Sequence, residues 1–255
     1  MTVKELYQYL DQRIPRSLSC EWDNDGLMCC PEEDRRVRRV LVTLDVTDAA
    51  VEQAIAGGYD VILSHHPMIF KGLKALNEEN YIAAKALKLI RAGVAVMSFH
   101  TRLDAVSGGV NDMLATLLGL SEVVPFGQNG EAIGRIGVLP EETDLMHFAA
   151  QVKAILNAPA VFYADAGRAV RKVAVLGGSG GDDIGAARLA GADTYLSGSL
   201  GYHDMTDAPE AGMNLVEAGH FYTENPICHV LCELVRGADE TIECDCRLES
   251  TVACL

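Results

Sequence analysis

A strand–helix–strand pattern recurs in this chain at an offset of 133 residues, as from Val40 to Val173. Any two such units share some glycine and apolar positions, but a gapless match over a whole unit favours an internal duplication. A chain built this way is expected to fold into two related lobes. The matching positions are Val40 and Val173, Val42 and Val175, Gly58 and Gly191, Asp60 and Asp193, Leu63 and Leu196, and Ser64 and Ser197.

Apolar periodicity places helices and strands in alternation, which is typical of βαβ units and a parallel sheet. The sequence therefore predicts an α/β fold of two related lobes. The first lobe covers residues 1–125 and is completed by residues 210–255, and the second covers residues 126–209. The predicted helices are 2–13, 47–56, 81–92, 110–118 and 183–190, and the predicted strands are 37–43, 60–64, 94–98, 173–176 and 194–197.

Charge and hydropathy exclude several classes of protein. The formal net charge of −15 argues against nonspecific binding to nucleic acid, which requires clustered Lys and Arg. No apolar stretch is long enough to span a bilayer, and the N-terminal residues lack the apolar core of a signal peptide. The sequence therefore predicts a cytoplasmic protein that does not enter membranes.

Eight cysteines do not form the paired CxxC spacing of a metal or redox motif. In a cytosolic chain of this size, buried free thiols are the better interpretation. Cys244 and Cys246 alternate on a predicted C-terminal strand, and the sequence assigns them no chemistry.

Histidines cluster where predicted strands end. His65 and His66 directly follow the strand 60–64, and a His-x3-carboxylate motif occurs twice, at His100 to Asp104 and 120 residues later at His220 to Glu224. Open α/β sheets bind ligands beyond the carboxyl ends of their strands. A single histidine is usually structural or exposed, but five of the seven, His203 included, lie at predicted strand ends, and only His147 and His229 do not.

Mixed imidazole and carboxylate donors suit divalent Zn, Fe, Mn, Co or Ni. Two such ions lie about 3.5–4 Å apart when a carboxylate bridges them, and they lower the pKa of bound water for attack on an ester, amide or ring carbon. His203 is the candidate catalytic acid or base beside them. Equally, it can be a supporting or surface histidine that pairs with Asp204.

Two glycine-containing segments leave their roles open. The run from Gly177 to Gly181 can cradle phosphate on backbone N–H groups or form a plain tight turn, and it lacks the lysine of a P-loop. The segment from Asp23 to Gly26 lacks the later glutamate of a calcium loop, so it is interpreted as a structural turn.

Together these motifs resemble the NIF-three-like proteins, commonly called GTP cyclohydrolase 1 type 2 homologues. The resemblance implies a duplicated α/β fold of three layers, two divalent metal ions per subunit and a toroidal homohexamer. The motifs that carry it are Glu21-Trp22-Asp23-Asn24, Ser64-His65-His66-Pro67, His100-Thr101-Arg102-Leu103-Asp104-Ala105, Gly177-Gly178-Ser179-Gly180 and Gly219-His220-Phe221-Tyr222-Thr223-Glu224.

The resemblance also implies a ligand set. Its metal ligands fall on His65, His66, Asp104, His220 and Glu224, with Glu224 as the bridge, and no separate cofactor-binding residue is assigned. His100 matches a family histidine whose role as a ligand is open. Family members usually carry an acidic residue two or three positions before the Tyr-His pair, whereas residues 197–203 here have none. Shared chemistry near His203 is therefore open.

Two functions are consistent with these residues. The first is a metal-dependent hydrolase that acts on a nucleotide or another phosphorylated heterocycle. The alternative is a non-catalytic metal-binding hexameric scaffold or metal-handling protein.

Overall fold

The computed structural model describes residues 1–128 and 132–253. In chain order its helices are α1 Val3–Arg13, α2 Asp48–Ala56, α3 Tyr81–Ala92, α4 Thr101–Ala105, α5 Val110–Leu117, α6 Leu145–Ile155, α7 Ile184–Leu189, α8 Tyr202–Glu210, α9 His220–Glu224 and α10 Ile227–Ala238. Its strands are β1 Gly26–Cys29, β2 Arg39–Thr43, β3 Val61–Ser64, β4 Ala95–Ser98, β5 Ser121–Phe126, β6 Gly134–Thr143, β7 Phe162–Ala164, β8 Val170–Ser179, β9 Thr194–Ser199, β10 Asn214–Glu217 and β11 Glu243–Arg247.

Local sequence signals explain where the helices begin and end. Thr2 caps α1 by accepting a hydrogen bond from the Glu5 N–H, and the Glu5 side chain accepts from the Thr2 N–H in return. Helix α3 ends at Gly93, which adopts a left-handed φ of 72° that glycine tolerates best. The helices predicted in the first half of the sequence are accordingly present with nearly the predicted bounds.

The chain forms two compact units. The first contains Met1–Leu103 and Ile227–Glu249, and the second contains Asp104–Pro226 and the residues after 249. The sequence placed residues 104–125 and 210–226 in the first lobe instead. Strand pairing gives the physical reason for the difference, because β10 pairs in parallel with β9 and α5 packs on β6 and β8.

The first unit contains a five-stranded sheet in the order β1-β4-β3-β2-β11. Strands β2, β3, β4 and β11 are parallel, and β1 is antiparallel to β4. Leu41, Ile62 and Val96 pack with α2 and α3. The intervening residues Val40 and Val42 are also fully buried, so both faces of this sheet are covered.

The second unit contains a six-stranded sheet in the order β5-β6-β8-β9-β10-β7. On one face Val175 and Leu196 pack with residues of α5 and α6. On the other face Ala174, Tyr195 and Leu215 pack with residues of α7 and α8. Successive side chains of a strand point to opposite faces, so this unit has a helix layer on each side of the sheet.

The two sheets confirm the sequence repeat. In each, three parallel strands in sequence order are flanked by one antiparallel strand, which is β1 beside β4 and β7 beside β10. The matched aspartates make the same bonds: Asp60 accepts from the backbone N–H groups of Arg38 and Arg39. Asp193 accepts from those of Arg171 and Lys172, 133 residues later.

Each repeat ends in a short helix, and a His-x3-carboxylate motif begins at the first residue of that helix or one residue before it. Helix α4 follows β4, and α9 follows β10. The motif histidines and carboxylates therefore lie at the carboxyl ends of parallel strands, as predicted. None of the helices within the described ranges is long and apolar enough to cross a membrane.

Candidate metal centre

His65 and His66 lie at the carboxyl end of β3, and each is held by a hydrogen bond through Nδ1. His65 is fully buried, and its Nδ1 lies 2.9 Å from the carbonyl oxygen of Phe99. The Nδ1 of His66 lies 2.8 Å from Oδ1 of Asp45. Because a carbonyl or carboxylate oxygen only accepts, both rings donate through Nδ1–H, and in the neutral form of the ring this leaves Nε2 with the lone pair that a metal ion needs.

His100 immediately precedes α4 and is oriented in the same way by Asp23. Its Nδ1 lies 2.8 Å from Oδ1 of Asp23, whose Oδ2 accepts from the Thr101 N–H at 3.0 Å and the Thr101 hydroxyl at 2.6 Å. Burial alone would raise the pKa of Asp23, but the hydrogen bonds from His100 and Thr101 outweigh it and lower that pKa to about 2. Asp23 is therefore an anionic support for the His100 ring.

One ring nitrogen from each of His65, His66 and His100 lies within 4.8 Å of the other two. The ring centroids are 5.0 to 5.7 Å apart. Metal-binding imidazoles usually donate a hydrogen bond from Nδ1–H to an oxygen, because that bond fixes the tautomer and raises the basicity of the ligand nitrogen. These three residues thus form a donor group that could hold a metal ion, and the structure adds His100 to the predicted pair.

The second unit holds the other three predicted ligands. Asp104 lies on α4, while His220 and Glu224 lie one turn apart on α9. Nε2 of His220 is 3.0 Å from Oε2 of Glu224, and one oxygen of Asp104 lies within 4.8 Å of one oxygen of Glu224. Both carboxylates are buried, and buried carboxylates are typical of metal or ion-pair sites.

Helix α9 reaches this position because glycines face it. A Cβ on Gly198 would lie 2.5 Å from the Thr223 hydroxyl and 2.8 Å from the Cα of His220. Gly178 has a φ of +71°, and a Cβ there would collide with a carboxylate oxygen of Glu224. Gly198 is the repeat counterpart of His65. The second unit therefore lacks a histidine at this position because α9 occupies the space.

The predicted turn from Gly177 to Gly181 is wrong in its first half, because β8 continues to Ser179. The N–H of Gly177 donates to the side-chain oxygen of Asn111 at 2.8 Å, and the N–H of Gly178 donates to the Thr223 hydroxyl at 3.1 Å. These donors are used within the protein, which argues against a phosphate cradle at the start of the run. Residues Gly181–Asp183 form a short 3₁₀ turn.

His203 lies exposed in the first turn of α8, where its ring is 5.5 Å from that of Tyr202. Asp204 accepts from the Gly201 N–H at 2.7 Å and so caps the helix. Within residues 1–128 and 132–253, no group of converging metal donors includes His203. Its catalytic role therefore stays a prediction.

Two aromatic rings beside the histidine group were not assigned to the site by the sequence. Trp22 and Phe70 each have a ring centroid 6.1 Å from that of His100, in edge-on geometry. Their exposed fractions are 60% and 42%, so large apolar faces are open to a ligand. The turn predicted at Asp23 to Gly26 lies instead at Glu21 and Trp22, because Gly26 already begins β1. Asp23 in this segment supplies the carboxylate that orients His100.

Replacing Asp45 with alanine is expected to weaken metal binding about tenfold, since the His66 ring loses the hydrogen bond on Nδ1 that fixes its orientation. Competition with a chromogenic chelator measures the affinity. Asp48→Ala is the matched control, because Asp48 lies nearby on α2 and pairs weakly with Lys88 at 3.8 Å. Equal affinities for Asp45→Ala and the unchanged protein would contradict the assignment of His66.

Comparison with known proteins identifies the family of the chain. The family model described as Duf34/NIF3 (NGG1p interacting factor 3) matches residues 1–251. GTP cyclohydrolase 1 type 2 homologues from Clostridium perfringens and Nostoc are 30% and 36% identical, over 92% and 78% of both chains respectively.

Solved structures show the same fold. A Staphylococcus aureus hypothetical protein has a TM-score of 0.87 at 29% identity, covering 99% of this chain and 97% of its own. A Bacillus cereus protein related to NIF3 has a TM-score of 0.90 at 24% identity, covering 100% and 99%. By its family-model match, sequence relatives and fold, this chain is a member of the Duf34/NIF3 family.

Proposed function

We propose that this protein is a metal-dependent hydrolase of a nucleotide or another phosphorylated heterocycle. Its metal ligands are His65, His66, Asp104, His220 and Glu224, the set that the family resemblance implies for two divalent ions. The observation that carries the proposal is the group of three imidazoles whose Nδ1 atoms are all bound to oxygen. The relatives are named GTP cyclohydrolase 1 type 2 homologues, and this name supports a nucleotide as the substrate.

The donor set fits divalent metal ions. Neutral imidazole nitrogens and carboxylate oxygens suit Zn, Fe, Mn, Co and Ni. Glu224 has two oxygens and is held by α9 against the glycines of β8 and β9, so it is the carboxylate best suited to bridging. When bound, the ions supply Lewis acidity to a water molecule and to the substrate.

Residues of this chain bind and orient the substrate. Trp22 and Phe70 present exposed ring faces beside His100, and a flat heterocycle can stack on such faces. A base placed there lies next to the histidine group. This position supports a purine or pterin-like ring as the reacting part of the substrate.

His203 is the proposed proton carrier. Its exposed position in the first turn of α8 lets it exchange protons with solvent, and an imidazole ring can both donate and accept a proton. If His203 transfers protons, replacing it should stop turnover and leave metal binding unchanged.

Elemental analysis and turnover assays test the proposal on the full chain. After loading with Zn or Mn, we expect about two ions per chain, and fewer in His66→Ala and Glu224→Ala. His229→Ala is the control, because His229 is exposed on α10 outside the donor groups. His203→Ala should keep its metal and lose GTP hydrolysis. The single tryptophan is Trp22, so quenching of its emission reports nucleotide binding.

If the metal-loaded protein binds no nucleotide and hydrolyses neither GTP nor simple phosphoesters, the hydrolase proposal fails. Retained metal in that case would favour the non-catalytic scaffold or metal-handling function. Turnover by metal-free protein would contradict both. Assembly into a homohexamer and a cytoplasmic location stay predictions from the sequence.

A further inference from the structure

Three thiols meet in the first unit, away from the histidines. The Sγ of Cys232 lies 2.7 Å from the Sγ of Cys244 and 3.2 Å from that of Cys246. A disulfide needs two sulfurs about 2.05 Å apart, so a small side-chain rotation brings Cys232 to bonding distance of either partner.

Helix and strand periodicity explain why these thiols converge. Cys244 and Cys246 are two residues apart on β11, so both point to the same face of the sheet. Helix α10 packs on that strand and presents Cys232 to both. Cys232 and Cys244 are buried and Cys246 is half-buried, so the row of sulfurs runs from the partly exposed Cys246 inwards.

The arrangement suits disulfide exchange better than metal binding. A metal ion requires all its donors around one point. Within the part of the chain that the structure describes, no group of three donors mutually within 4.8 Å contains a cysteine. Cys232 instead lies close to two other sulfurs, those of Cys244 and Cys246. The central sulfur in thiol–disulfide exchange has this position, since it is bonded first to one sulfur and then to the other.

We propose that these three cysteines form a thiol relay that oxidises to a buried Cys232–Cys244 disulfide, with Cys246 as the entry point for an external low-molecular-weight disulfide. The hydrogen bond with Cys232 and burial raise the pKa of the Cys246 thiol, so this step proceeds through its minor deprotonated form. That thiolate attacks one sulfur of the external disulfide, and the expelled sulfur takes up a proton and leaves as the first external thiol. Deprotonated Cys232 then attacks the Cys246 sulfur, forms a Cys232–Cys246 disulfide and releases the second external thiol.

In the last step deprotonated Cys244 attacks the Cys232 sulfur and expels Cys246, which takes up a proton. Two protein thiols are oxidised in total, and one external disulfide is reduced to two thiols. The resulting Cys232–Cys244 disulfide links α10 covalently to β11 and closes a loop between two residues that are 12 apart in sequence. Such a bond restricts the unfolded chain and so stabilises this unit.

Treatment of the full chain with oxidised glutathione tests the relay. Trypsin cleaves after Arg236 and separates Cys232 from Cys244, and cleavage before Asp245 separates Cys244 from Cys246. Peptide mapping by mass spectrometry is expected to find Cys232 joined to Cys244, with Cys246 as a thiol. A protein with no disulfide between α10 and β11 after treatment would overturn the proposal.

Variants separate the three roles. Cys246→Ser should form the same disulfide about tenfold more slowly, because the external reagent must reach a buried sulfur. Cys244→Ala should stop at the Cys232–Cys246 disulfide. Cys29→Ser, which changes a buried cysteine on β1, is the control and should oxidise like the unchanged protein. Oxidation of Cys246→Ser at the unchanged rate would refute the relay.

Discussion

Gly198→Ala is expected to lower the free energy of unfolding by about 3 kcal/mol, because the new methyl group has no space. Its Cβ would lie 2.6 Å from the carbonyl oxygen of Gly178 and 2.8 Å from the Cα of His220. Both are backbone atoms, which cannot rotate away as a side chain does. Either β8 or α9 must move, and movement of α9 displaces His220 and Glu224.

Urea unfolding followed by circular dichroism measures this effect. Gly185→Ala is the matched control, because a Cβ at Gly185 on α7 meets nothing within 4 Å and alanine favours the helix. We expect the control to be unchanged or slightly more stable. The folded fraction of Gly198→Ala should also bind less metal. Unfolding of Gly198→Ala at the same urea concentration as the unchanged protein would show that α9 does not require this close approach.

Arg102→Met is expected to cost about 3–5 kcal/mol of stability, because it removes the buried cation closest to the Asp25 carboxylate and leaves only the more exposed Arg16, 3.6 Å away. Nε of Arg102 lies 2.8 Å from Oδ2 of Asp25, and both side chains are fully buried. The same guanidinium binds Asp11 at 2.6 Å and the carbonyl oxygen of Ile14 at 2.9 Å. Burial opposes its charge, but its bonds to the carboxylates outweigh this and raise the pKa of Arg102.

Arg91→Met is the control for the loss of an exposed ion pair. Arg91 lies 3.3 Å from Glu78, and the two side chains are 66% and 74% exposed, so its loss should change stability by about 1 kcal/mol or less. Replacing Asp25 with leucine together with Arg102→Met should recover part of the lost stability, since no unpaired buried charge remains. If Arg102→Met and Arg91→Met unfold alike, the buried pair is not a major source of stability.

Much of the fold follows from local sequence patterns. The capping box at Thr2, the glycine at residue 93 and the apolar runs specify α1, α3 and the central strands, because these elements depend on neighbours a few residues away. The repeat also predicted the shared strand arrangement. Sequence alone did not place α5 and β10 in the second unit, since that depends on which strands pair across the sheet.

The same division applies to the candidate site. In the sequence the histidines and carboxylates directly follow predicted strands. Because parallel strands end at the same edge of a sheet, this placement predicted that these side chains lie at that edge. The roles of Asp23 and Asp45 on Nδ1 were not predictable, since these contacts join segments 77 and 21 residues apart.

The sequence by itself determined the repeated α/β pattern, the family and the candidate metal ligands. The tertiary structure alone decided that His100 joins His65 and His66, that Gly198 takes the place of a histidine, and that Cys232 meets two thiols. The physical reason is the separation in sequence over which each effect acts. Periodicity and capping act over a few residues. Contacts between distant residues depend on strand order and helix packing, which the burial of a whole unit determines.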